Sequence, residues 1–405
     1  MSLSAVPALP NRGREVLPSL DDLLGKRADG PVNAAADTAR ALAFGRFSSG
    51  DKSFGRYSRL KLDWTGLAPT SPRFEPLDLS AWGSWGGGGE TPGVLSSLAD
   101  DDLARDFRAY PSRFRASSPW DDLVLAGWRD GLSLRWPAGQ SGGPVGFKST
   151  SPGGLVLEPI FIDVEPEAEA CLFIRWDGSD QPGLHLTSLQ GRVAQGGRLK
   201  LFLLHQGLGT HHRISSALDL GRDASVEVFC AWLGGKWTVA RIGAELSEPG
   251  SSWRETHLIS TGGKEHLDLD SQVRLAARHT YSDIQVKAVA DGNSRAIFTG
   301  NLLMEPAAVQ SEAYLADHVL LLSENARADS IPGLEIKAAD VKASHAASVG
   351  QVDEEQLFYL ESRGLAPAEA RRLIVVGFLR SLMERAPLPF VQEILDPLLE
   401  AKVSP

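Results

Sequence analysis

One histidine in this 405-residue sequence is placed where it could do chemistry. It lies in a run of apolar and small residues that recur at every second position, and strand side chains alternate between two faces. Five residues of the run therefore share one face: Val341, Ala343, His345, Ala347 and Val349. His345 is the only ionisable side chain among them. A neutral imidazole can bind a metal ion or accept a proton, although a strand histidine is more often structural.

The two cysteines of the chain, Cys171 and Cys230, are weak candidates for nucleophiles. Both lie in apolar, strand-like segments, and neither has a setting that would lower the pKa of a thiol. Cysteine is among the most frequently buried residues, so we predict two free, buried thiols. The sequence also lacks a Gly-x-Ser-x-Gly elbow. Nucleophilic catalysis is therefore not indicated.

Two other polar groups could form sites, but simpler interpretations exist. His205, His211 and His212 lie close together in the sequence, but adjacent strand residues point to opposite faces, which argues against a shared metal site. Asp268 and Asp270 resemble the acidic pairs of polysaccharide-cleaving enzymes. Alternating charge on the solvent face of a strand explains them without chemistry.

Composition excludes several classes of function. The chain is 42% hydrophobic and 23% charged, with a formal net charge of -10, and no basic patch suits nucleic acid or an anionic membrane. No signal peptide or run of about 18 apolar residues is visible, so we expect a cytoplasmic protein. The glycine run in WGSWGGGGETPG is not followed by Gly-Lys-Ser/Thr, so it predicts a connector rather than a phosphate loop.

Strands dominate the middle of the chain, from about residue 120 to 349. Apolar residues alternate with polar ones in four segments, at Leu199, Leu201 and Leu203, at Val226, Val228, Cys230 and Trp232, at Leu267, Leu269, Val273 and Leu275, and at Ile284, Val286 and Ala288. No amphipathic helix interrupts these strands, which excludes a doubly wound α/β domain. Periodicity leaves a sandwich and a solenoid open, because no repeat of fixed length stands out.

Helices are predicted on both sides of the strands. Residues 1–115 include three candidate helices, at Pro18–Leu24, Pro31–Phe44 and Val94–Tyr110. After the strands, Asp353 can cap a helix, Gln356 stands where a capping-box partner belongs, and Gly364 can end the helix.

The next helix has one continuous apolar stripe at helical spacing, formed by Ala370, Leu373, Ile374, Gly377, Phe378, Ser381 and Leu382. Gly377 weakens a helix by about 1 kcal/mol relative to alanine, so we expect a backbone or ring to pack closely against it. Leu388–Ala401 forms a second amphipathic segment. These helices either fold back on their own domain or offer a groove to a partner.

The run ADVKASHAASVGQVDEEQLFYLESRGL and the following APAEARRLIVVGFL resemble the signature of the SufB/SufD family of iron-sulfur cluster assembly proteins. The resemblance is strong over about residues 295–378. It implies a mainly β protein with a right-handed parallel β-helix core, residues 116–349, between an N-terminal helical region, 1–115, and a C-terminal helical domain, 350–405. Family members commonly have VKCSHG here, so Ala343 replaces a cysteine and Ala346 a glycine.

The resemblance also implies a function, most like that of SufD. Such a subunit pairs with a SufB-like subunit and docks a SufC-like ABC ATPase, which hydrolyses ATP; this chain is not itself an enzyme. His345 becomes the candidate metal ligand for a transient iron-sulfur cluster shared with the partner, and no cofactor is expected to bind stably to this chain alone. The implied partner interface comprises Val341, Lys342, Ala343, Ser344, Arg363, Gly377 and Phe378.

Three alternatives remain open. A SufB-like homodimeric scaffold would use the same motif in two copies of this chain. A β-helix enzyme that acts on carbohydrate or transfers acyl groups would need clustered carboxylates along a groove. A purely structural adaptor would have no iron chemistry, and iron binding in its complex would not depend on His345.

Overall fold

The computed structural model describes residues 67–79, 96–97, 120–121, 123–124, 128, 131–207 and 209–403. Strands in two long sheets account for most of these residues. The predicted helices Pro18–Leu24 and Pro31–Phe44 and the glycine run lie outside them. No helix among the described residues is both long enough and apolar enough to cross a membrane.

The first sheet, called the even-numbered sheet below, contains the even-numbered strands from β4 onward together with β1 and β3. Its members are β1 (Pro69–Thr70), β3 (Ser96–Ser97), β4 (Leu132–Trp136), β6 (Gly154–Val164), β8 (Gly183–Val193), β10 (His211–Leu220), β12 (Trp237–Leu246), β14 (His266–Leu275), β16 (Arg295–Met304) and β18 (Arg327–Ile336). They run in the order β18-β16-β14-β12-β10-β8-β6-β4-β3, and β1 also pairs with β6.

The second sheet, called the odd-numbered sheet below, contains the odd-numbered strands from β5 onward together with β2. Its members are β2 (Arg73–Pro76), β5 (Val145–Thr150), β7 (Glu169–Asp177), β9 (Arg198–Gln206), β11 (Ser225–Trp232), β13 (Ser252–Thr261), β15 (Tyr281–Ala290), β17 (Glu312–Leu321) and β19 (Lys342–Gln351). They run in the order β19-β17-β15-β13-β11-β9-β7-β5-β2.

The chain alternates between the two sheets, and from β4 onward neighbouring strands within each sheet are parallel. This is a parallel β-helix of about eight turns, as the resemblance predicted. Residues that pair in register on neighbouring strands from β4 onward are 26 to 32 positions apart in the sequence. The shortest separation joins His211 to Trp237, and the longest joins Arg295 to Arg327. Because the turn length varies, no fixed repeat is visible in the sequence.

The solenoid interior is filled by alternate residues of the strands from β4 to β17. All four sets of alternating apolar residues predicted from the sequence lie in this core. At one corner of the solenoid, successive coils each place a residue with a positive φ. The backbone N–H of this residue donates a hydrogen bond to a carbonyl at the same corner of the next coil. Glycine fills some of these positions, but Glu167, Asp223, His279, Gln310 and Asp340 adopt φ values of 54° to 59°.

Three helices follow the last strand: α1 (Glu354–Ser362), α2 (Pro367–Arg380) and α3 (Phe390–Val403), with a 3-10 helix at Met383–Arg385 before α3. As predicted, the Asp353 carboxylate accepts hydrogen bonds from the first turn of α1, and Gly364, with φ +97°, follows its end. Helices α2 and α3 fold back on the outer face of the odd-numbered sheet. They bury Phe173, Phe202 and Phe229 of that face.

The predicted apolar stripe of α2 is partly wrong. The buried residues of the helix are Ala370, Val375, Val376 and Leu379. Leu373 is exposed, and among the described residues nothing lies within 4 Å of a Cβ built at Gly377, so this part of the chain does not make the close contact expected there. The sheet meets α2 at an angle that selects a neighbouring set of residues, which helical spacing alone cannot reveal.

The prediction of a helix over Val94–Tyr110 also needs correction. Ser96 and Ser97 form β3, which pairs antiparallel with Ser133 and Leu132 of β4. A helix cannot include two residues whose backbones pair in a sheet. The remainder of that predicted helix lies outside the described residues.

Candidate functional site

His345 lies at the end of the solenoid, on the terminal strand of the odd-numbered sheet. It pairs in register with Leu315 of β17, and β19 has no strand on its other side among the described residues. Leu315 is buried in the solenoid core, whereas His345 is exposed. The imidazole therefore lies on the face of β19 that continues the inward-facing side of the solenoid, and no further turn in the described part of the chain covers it.

The residues implied to surround His345 fall into two groups. Val341 and Ala343 are half-buried and pack against the core, while Lys342 and Ser344 are exposed on the other face of β19. The alternation predicted for this strand is therefore confirmed. Lys342 Nζ donates a hydrogen bond to Glu312 Oε1 at 2.8 Å, which raises the pKa of the amine.

The other implied interface residues lie on the helices. Arg363 and Gly377 are exposed, whereas Phe378 is half-buried against α3 and the sheet. The Lys287 ammonium lies over the Phe378 ring, 4.6 Å from the ring centroid. The same ammonium donates a hydrogen bond to the backbone carbonyl of Phe378 at 3.1 Å. Phe378 is thus already engaged within this chain.

Neither cysteine can supply a thiolate beside His345. Both are free and buried, as predicted: Cys230 in the solenoid interior and Cys171 beneath the C-terminal helices. Burial raises the pKa of both thiols, which keeps them protonated at neutral pH. Metal ligation requires the thiolate, so neither side chain is poised for it.

Large apolar side chains are exposed on α1, the helix that follows β19. Helix α1 has no buried residue, and Phe358 and Tyr359 are 72% and 62% exposed. Val349 on β19 and Ile336 on β18 are exposed as well. Both strands are the last of their sheets in the part of the chain that the structure describes.

A second polar constellation lies inside the solenoid, among β6, β8 and β10. The Glu158 carboxylate is completely buried, with one oxygen bonded to Ser149 and the other accepting from Trp176 Nε1 at 2.9 Å. The same oxygen lies 3.2 Å from His185 Nε2 and 2.6 Å from Thr187 Oγ1.

Two further histidines extend this constellation. His212 Nε2 lies 2.9 Å from Thr187 Oγ1, and His212 Nδ1 lies 3.0 Å from Nε2 of His205, which comes from the opposite sheet. His205 Nδ1 is 3.0 Å from the Gly234 carbonyl. Burial lowers the pKa of His205 to about 4 and that of His212 well below 6.5, so both rings are neutral at pH 7.

Burial and hydrogen bonding oppose each other at Glu158. Burial alone would raise the pKa of the carboxyl, but the charge of His185 and the hydrogen bonds from His185, Ser149 and Thr187 outweigh it and lower the pKa. The carboxylate is therefore ionised. Glu158, His185 and His212 each have one possible ligand atom within 4.8 Å of those of the other two, but the His185 and His212 rings stack face to face.

Farther along the interior, a second buried acid and histidine form a separate pair. Glu255 contacts His257 Nε2 and accepts a hydrogen bond from Trp253 Nε1 at 2.7 Å. Trp232 Nε1 donates to His257 Nδ1 at 3.1 Å. Both partners are thus satisfied by protein groups, and the pair contributes two potential ligands rather than three.

The structure confirms one prediction about the histidines and corrects another about the acids. His212 faces the interior and its neighbour His211 the outside of the even-numbered sheet, as alternation requires. Asp268 and Asp270 do lie on the outer face, but they are buried rather than solvent-exposed. They stand near the buried Arg213, which lies 4.0 Å from Asp121 of the preceding segment.

Sequence reasoning missed Glu158 and His185. Glu158 lies in β6, which is buried on both faces, so no alternation marks it as inward-facing. His185 lies 27 positions before His212, a separation that gains meaning only from the register of β8 with β10. The weak signal available was that both are ionisable residues within strongly apolar strands.

Comparison with known proteins agrees with this architecture. A family model described as "SUF system FeS cluster assembly, SufBD core domain" matches residues 147–378. An iron-sulfur cluster assembly SufBD family protein of Mycobacterium tuberculosis is 28% identical over 268 residues, which cover 64% of this chain and 67% of the relative.

Two relatives carry the more specific name of iron-sulfur cluster assembly protein SufD. That of Bacillus subtilis is 33% identical over 184 residues, 45% of this chain and 42% of the relative. That of Escherichia coli is 30% identical over 175 residues, 43% of this chain and 41% of the relative. The family model spans more than half of the sequence, from Phe147 within β5 to Phe378 within α2, and the chain therefore belongs to the SufBD family of iron-sulfur cluster assembly proteins.

Proposed function

We propose that this chain is a SufD-like subunit of an iron-sulfur cluster assembly scaffold, which pairs with a SufB-like subunit through the β19 end of the solenoid. The observation that carries the proposal is the exposed terminal strand with His345 on its inward-facing alternation. An open strand edge presents unpaired backbone donors and acceptors, which a strand of a partner can satisfy.

The apolar surroundings of this edge support a protein partner. Val349 and Ile336 are exposed on the last strands of the two sheets, and Phe358 and Tyr359 are exposed on α1, which follows β19. Aromatic residues contribute strongly to interface cores, and covering this group removes apolar surface from water. The pairing would thereby cap the solenoid interior.

The supply of ligands explains why a partner is needed. An iron-sulfur cluster is normally held by four thiolates or by a mixture of thiolates and histidine. This chain offers His345 at the open end, has Ala343 where relatives commonly have cysteine, and holds both of its thiols protonated in the interior. His345 would supply one bond to iron, and the SufB-like subunit the others.

The C-terminal helices are the proposed docking site of a SufC-like ATPase. Helices α2 and α3 are fixed to the solenoid by buried contacts and by ion pairs such as Lys402 with Glu265, at 2.8 Å. Leu373 and Gly377 remain exposed on α2. A rigid attachment would let movement of the ATPase pull directly on the solenoid.

Co-expression of this chain with the SufB-like and SufC-like proteins of the same genome tests the proposal. We expect the three proteins to co-purify, and anaerobic reconstitution to yield a cluster that contains iron and sulfide. His345→Ala should leave the complex intact and lower the cluster yield. Ser348→Ala is the matched control, since Ser348 is exposed on the opposite face of the same strand and is not among the implied interface residues.

Several outcomes would contradict the proposal. Failure to co-purify with either protein would exclude the assigned partners, and an unchanged yield in His345→Ala would exclude His345. A stoichiometric cluster on the isolated chain would show that no partner is required. If that chain were a dimer, the SufB-like homodimeric scaffold would be the correct interpretation.

A further inference from the structure

We infer that a cavity between helix α2 and the odd-numbered sheet binds a small phosphate monoester. The cavity, called the α2 cavity below, has a volume of about 250 Å³, and its wall is formed by the ends of β13 and β15, the first turns of α2 and the last turn of α3. Pockets for drug-sized ligands usually occupy about 300 to 1,000 Å³, so this cavity suits a smaller molecule. The site is separate from His345, because neither β18 nor β19 contributes to its wall.

Two arginines of α2 line the α2 cavity with few partners of their own. Arg371 Nη1 donates a hydrogen bond to the Leu322 carbonyl at 2.8 Å, which holds this side chain at the wall and leaves its other N–H groups available. Arg372 is half-buried and forms no hydrogen bond or ion pair with the described part of the chain. A guanidinium offers a planar fork of donors that matches the oxygens of a phosphate group. A phosphate in the cavity would therefore satisfy both side chains.

A buried hydroxyl of the sheet faces the same space. Ser260 is only 3% exposed, lines the α2 cavity, and has no hydrogen-bond partner among the described residues. Its neighbour two positions earlier, Leu258, packs against the C-terminal helices, so both lie on the outer face of β13. A buried polar group without a partner is costly, and most such groups in proteins are satisfied. Ser260 thus indicates a polar ligand independently of the helix.

The start of α2 supplies a further donor. The N-cap residue is Ala366, whose side chain cannot accept hydrogen bonds from the first turn, and Pro367 follows it. The Ala370 N–H donates to the Ala366 carbonyl, whereas the N–H of Ala368, in the wall of the cavity, precedes any intrahelical acceptor. Free N–H groups at the start of a helix bind phosphate oxygens, and the helix dipole adds to the attraction.

The charges around the cavity leave a positive excess. Lys402 lines it too, but its Nζ is paired with both carboxylate oxygens of Glu265, at 2.8 and 2.9 Å. Asp291 is exposed in the wall, where its Oδ1 accepts a hydrogen bond from the backbone N–H of the next residue at 2.8 Å. The two arginines of α2 therefore face a single carboxylate, and this balance favours an anionic ligand.

The remaining wall indicates the rest of the ligand. Val289, Leu322, Val375 and Val403 add apolar surface to the polar groups. Donors reach the cavity from both α2 and β13, and the three outer oxygens of a phosphate monoester can accept from more directions than the two oxygens of a carboxylate. A phosphate ester with a short carbon skeleton fits both parts, whereas a nucleotide is too large for this volume.

Titration calorimetry of the complete chain in a phosphate-free buffer provides the test, with glycerol 3-phosphate and inorganic phosphate as the probes. We expect each to bind saturably, one molecule per chain, with glycerol 3-phosphate the tighter, and acetate and ATP to bind more weakly than either. Absence of saturable binding of the phosphate probes would overturn the inference. Tightest binding of inorganic phosphate, acetate or ATP would rule out a small phosphate ester as the ligand.

Substitution of an arginine then locates the site. Arg372→Gln should weaken binding of both phosphate probes by roughly tenfold or more, the loss expected for hydrogen bonds to a charged group. Arg222→Gln is the matched control, since it removes the same charge from the exposed turn between β10 and β11, outside the cavity. An unchanged affinity in Arg372→Gln, or an equal loss in Arg222→Gln, would reject the α2 cavity as the site.

Ala366→Asp separates binding from folding. An aspartate N-cap would accept hydrogen bonds from the first turn of α2, so the variant should resist urea better than the wild type. The same carboxylate would compete for the Ala368 N–H and repel phosphate, so affinity for both probes should fall. Because this change favours folding, the loss of binding could not be attributed to unfolding. Unchanged affinity in the stabilised variant would overturn the assigned position of the phosphate.

Discussion

His185 and His212 are register partners on adjacent parallel strands, and their imidazole rings stack with centroids 4.2 Å apart and planes within 6° of parallel. Two imidazolium ions could not share this position, because their charges would repel in a buried setting. Burial keeps His212 neutral by lowering its pKa well below 6.5. The stack therefore depends on placing at most one positive charge at this point of the interior.

A different buried acid makes stability depend on pH. Asp317 lies in the interior, and neither of its carboxylate oxygens nor the Ser330 hydroxyl has a hydrogen-bond partner of good geometry among the described residues. Burial raises the pKa of Asp317 to about 6, an effect that the nearby Ser330 hydroxyl and His257 only partly offset. The folded chain thus holds this proton more tightly than the unfolded chain. Its contribution to stability is present below pH 4 and is lost as the pH rises through about 6.

We therefore predict that Asp317→Asn stabilises the protein at pH 7, by up to about 3 kcal/mol for a shift of roughly 2 pKa units. The difference from the wild type should shrink toward pH 4, where the wild-type carboxyl is protonated as well. Urea unfolding at both pH values measures it. A gain of the same size at both pH values would show that the ionised carboxylate is not the cause.

Two glycines should respond in opposite ways to alanine. Gly377 lies in α2 with open space around its missing Cβ, so Gly377→Ala should stabilise the isolated chain by about 1 kcal/mol through helix propensity. In Gly191→Ala, the new Cβ would collide with the Ile162 carbonyl oxygen, and we expect clear destabilisation. Urea unfolding compares the two. Destabilisation by Gly377→Ala would mean that the helix does not present this face to solvent.

Gln310 tests the strain at the solenoid corner. Its φ of +58° costs a residue with a side chain roughly 1 kcal/mol, a cost that glycine avoids. Gln310→Gly should therefore raise the free energy of unfolding by up to about 1 kcal/mol. Val309→Gly, in the same turn but without a positive φ, should lower it, because glycine gains more freedom in the unfolded chain. The proposed strain would be disproved if both variants lost stability equally.

The alanine two residues before His345 can be tested with a thiol. Ala343 lies on the same face of β19 as His345, so Ala343→Cys would place a second possible iron ligand, a thiolate, two residues from the imidazole. In the complex with the proposed partners, we expect this variant to retain its iron-sulfur cluster longer during transfer to an acceptor apoprotein. Ala346→Cys places the thiol on the opposite face and should behave as the wild type. Equal retention by the two variants would place the cluster elsewhere.

Local patterns were sufficient for much of the fold. Alternation identified the faces of β19 and the core residues of four other strands, and Asp353 and Gly364 marked the limits of α1. These predictions rest on interactions between residues only a few positions apart. The stripe of α2 failed where a local pattern needed a distant partner, since the angle of the sheet beneath it selects which residues are buried.

Burial of the outer face of the even-numbered sheet was likewise invisible in the sequence. Asp268 and Asp270 alternate with leucines as solvent-facing residues do, but they are buried near Arg213. Alternation distinguishes the two faces of a strand and carries no information about what covers the second face. The polar residues of such a face can be exposed or can form a buried network of charges.

The sequence by itself determined that strands with inward-facing apolar residues form most of this protein, that His345 lies on the inward face of the last strand, and that helices follow it. Only the tertiary structure brought Glu158, His185, Thr187 and His212 together with His205. The physical reason is the register: each turn of the solenoid takes between 26 and 32 residues, and the lengths of its corners decide which side chains stand above one another. Alternation gives each residue a face, but only the stacking of turns gives it neighbours.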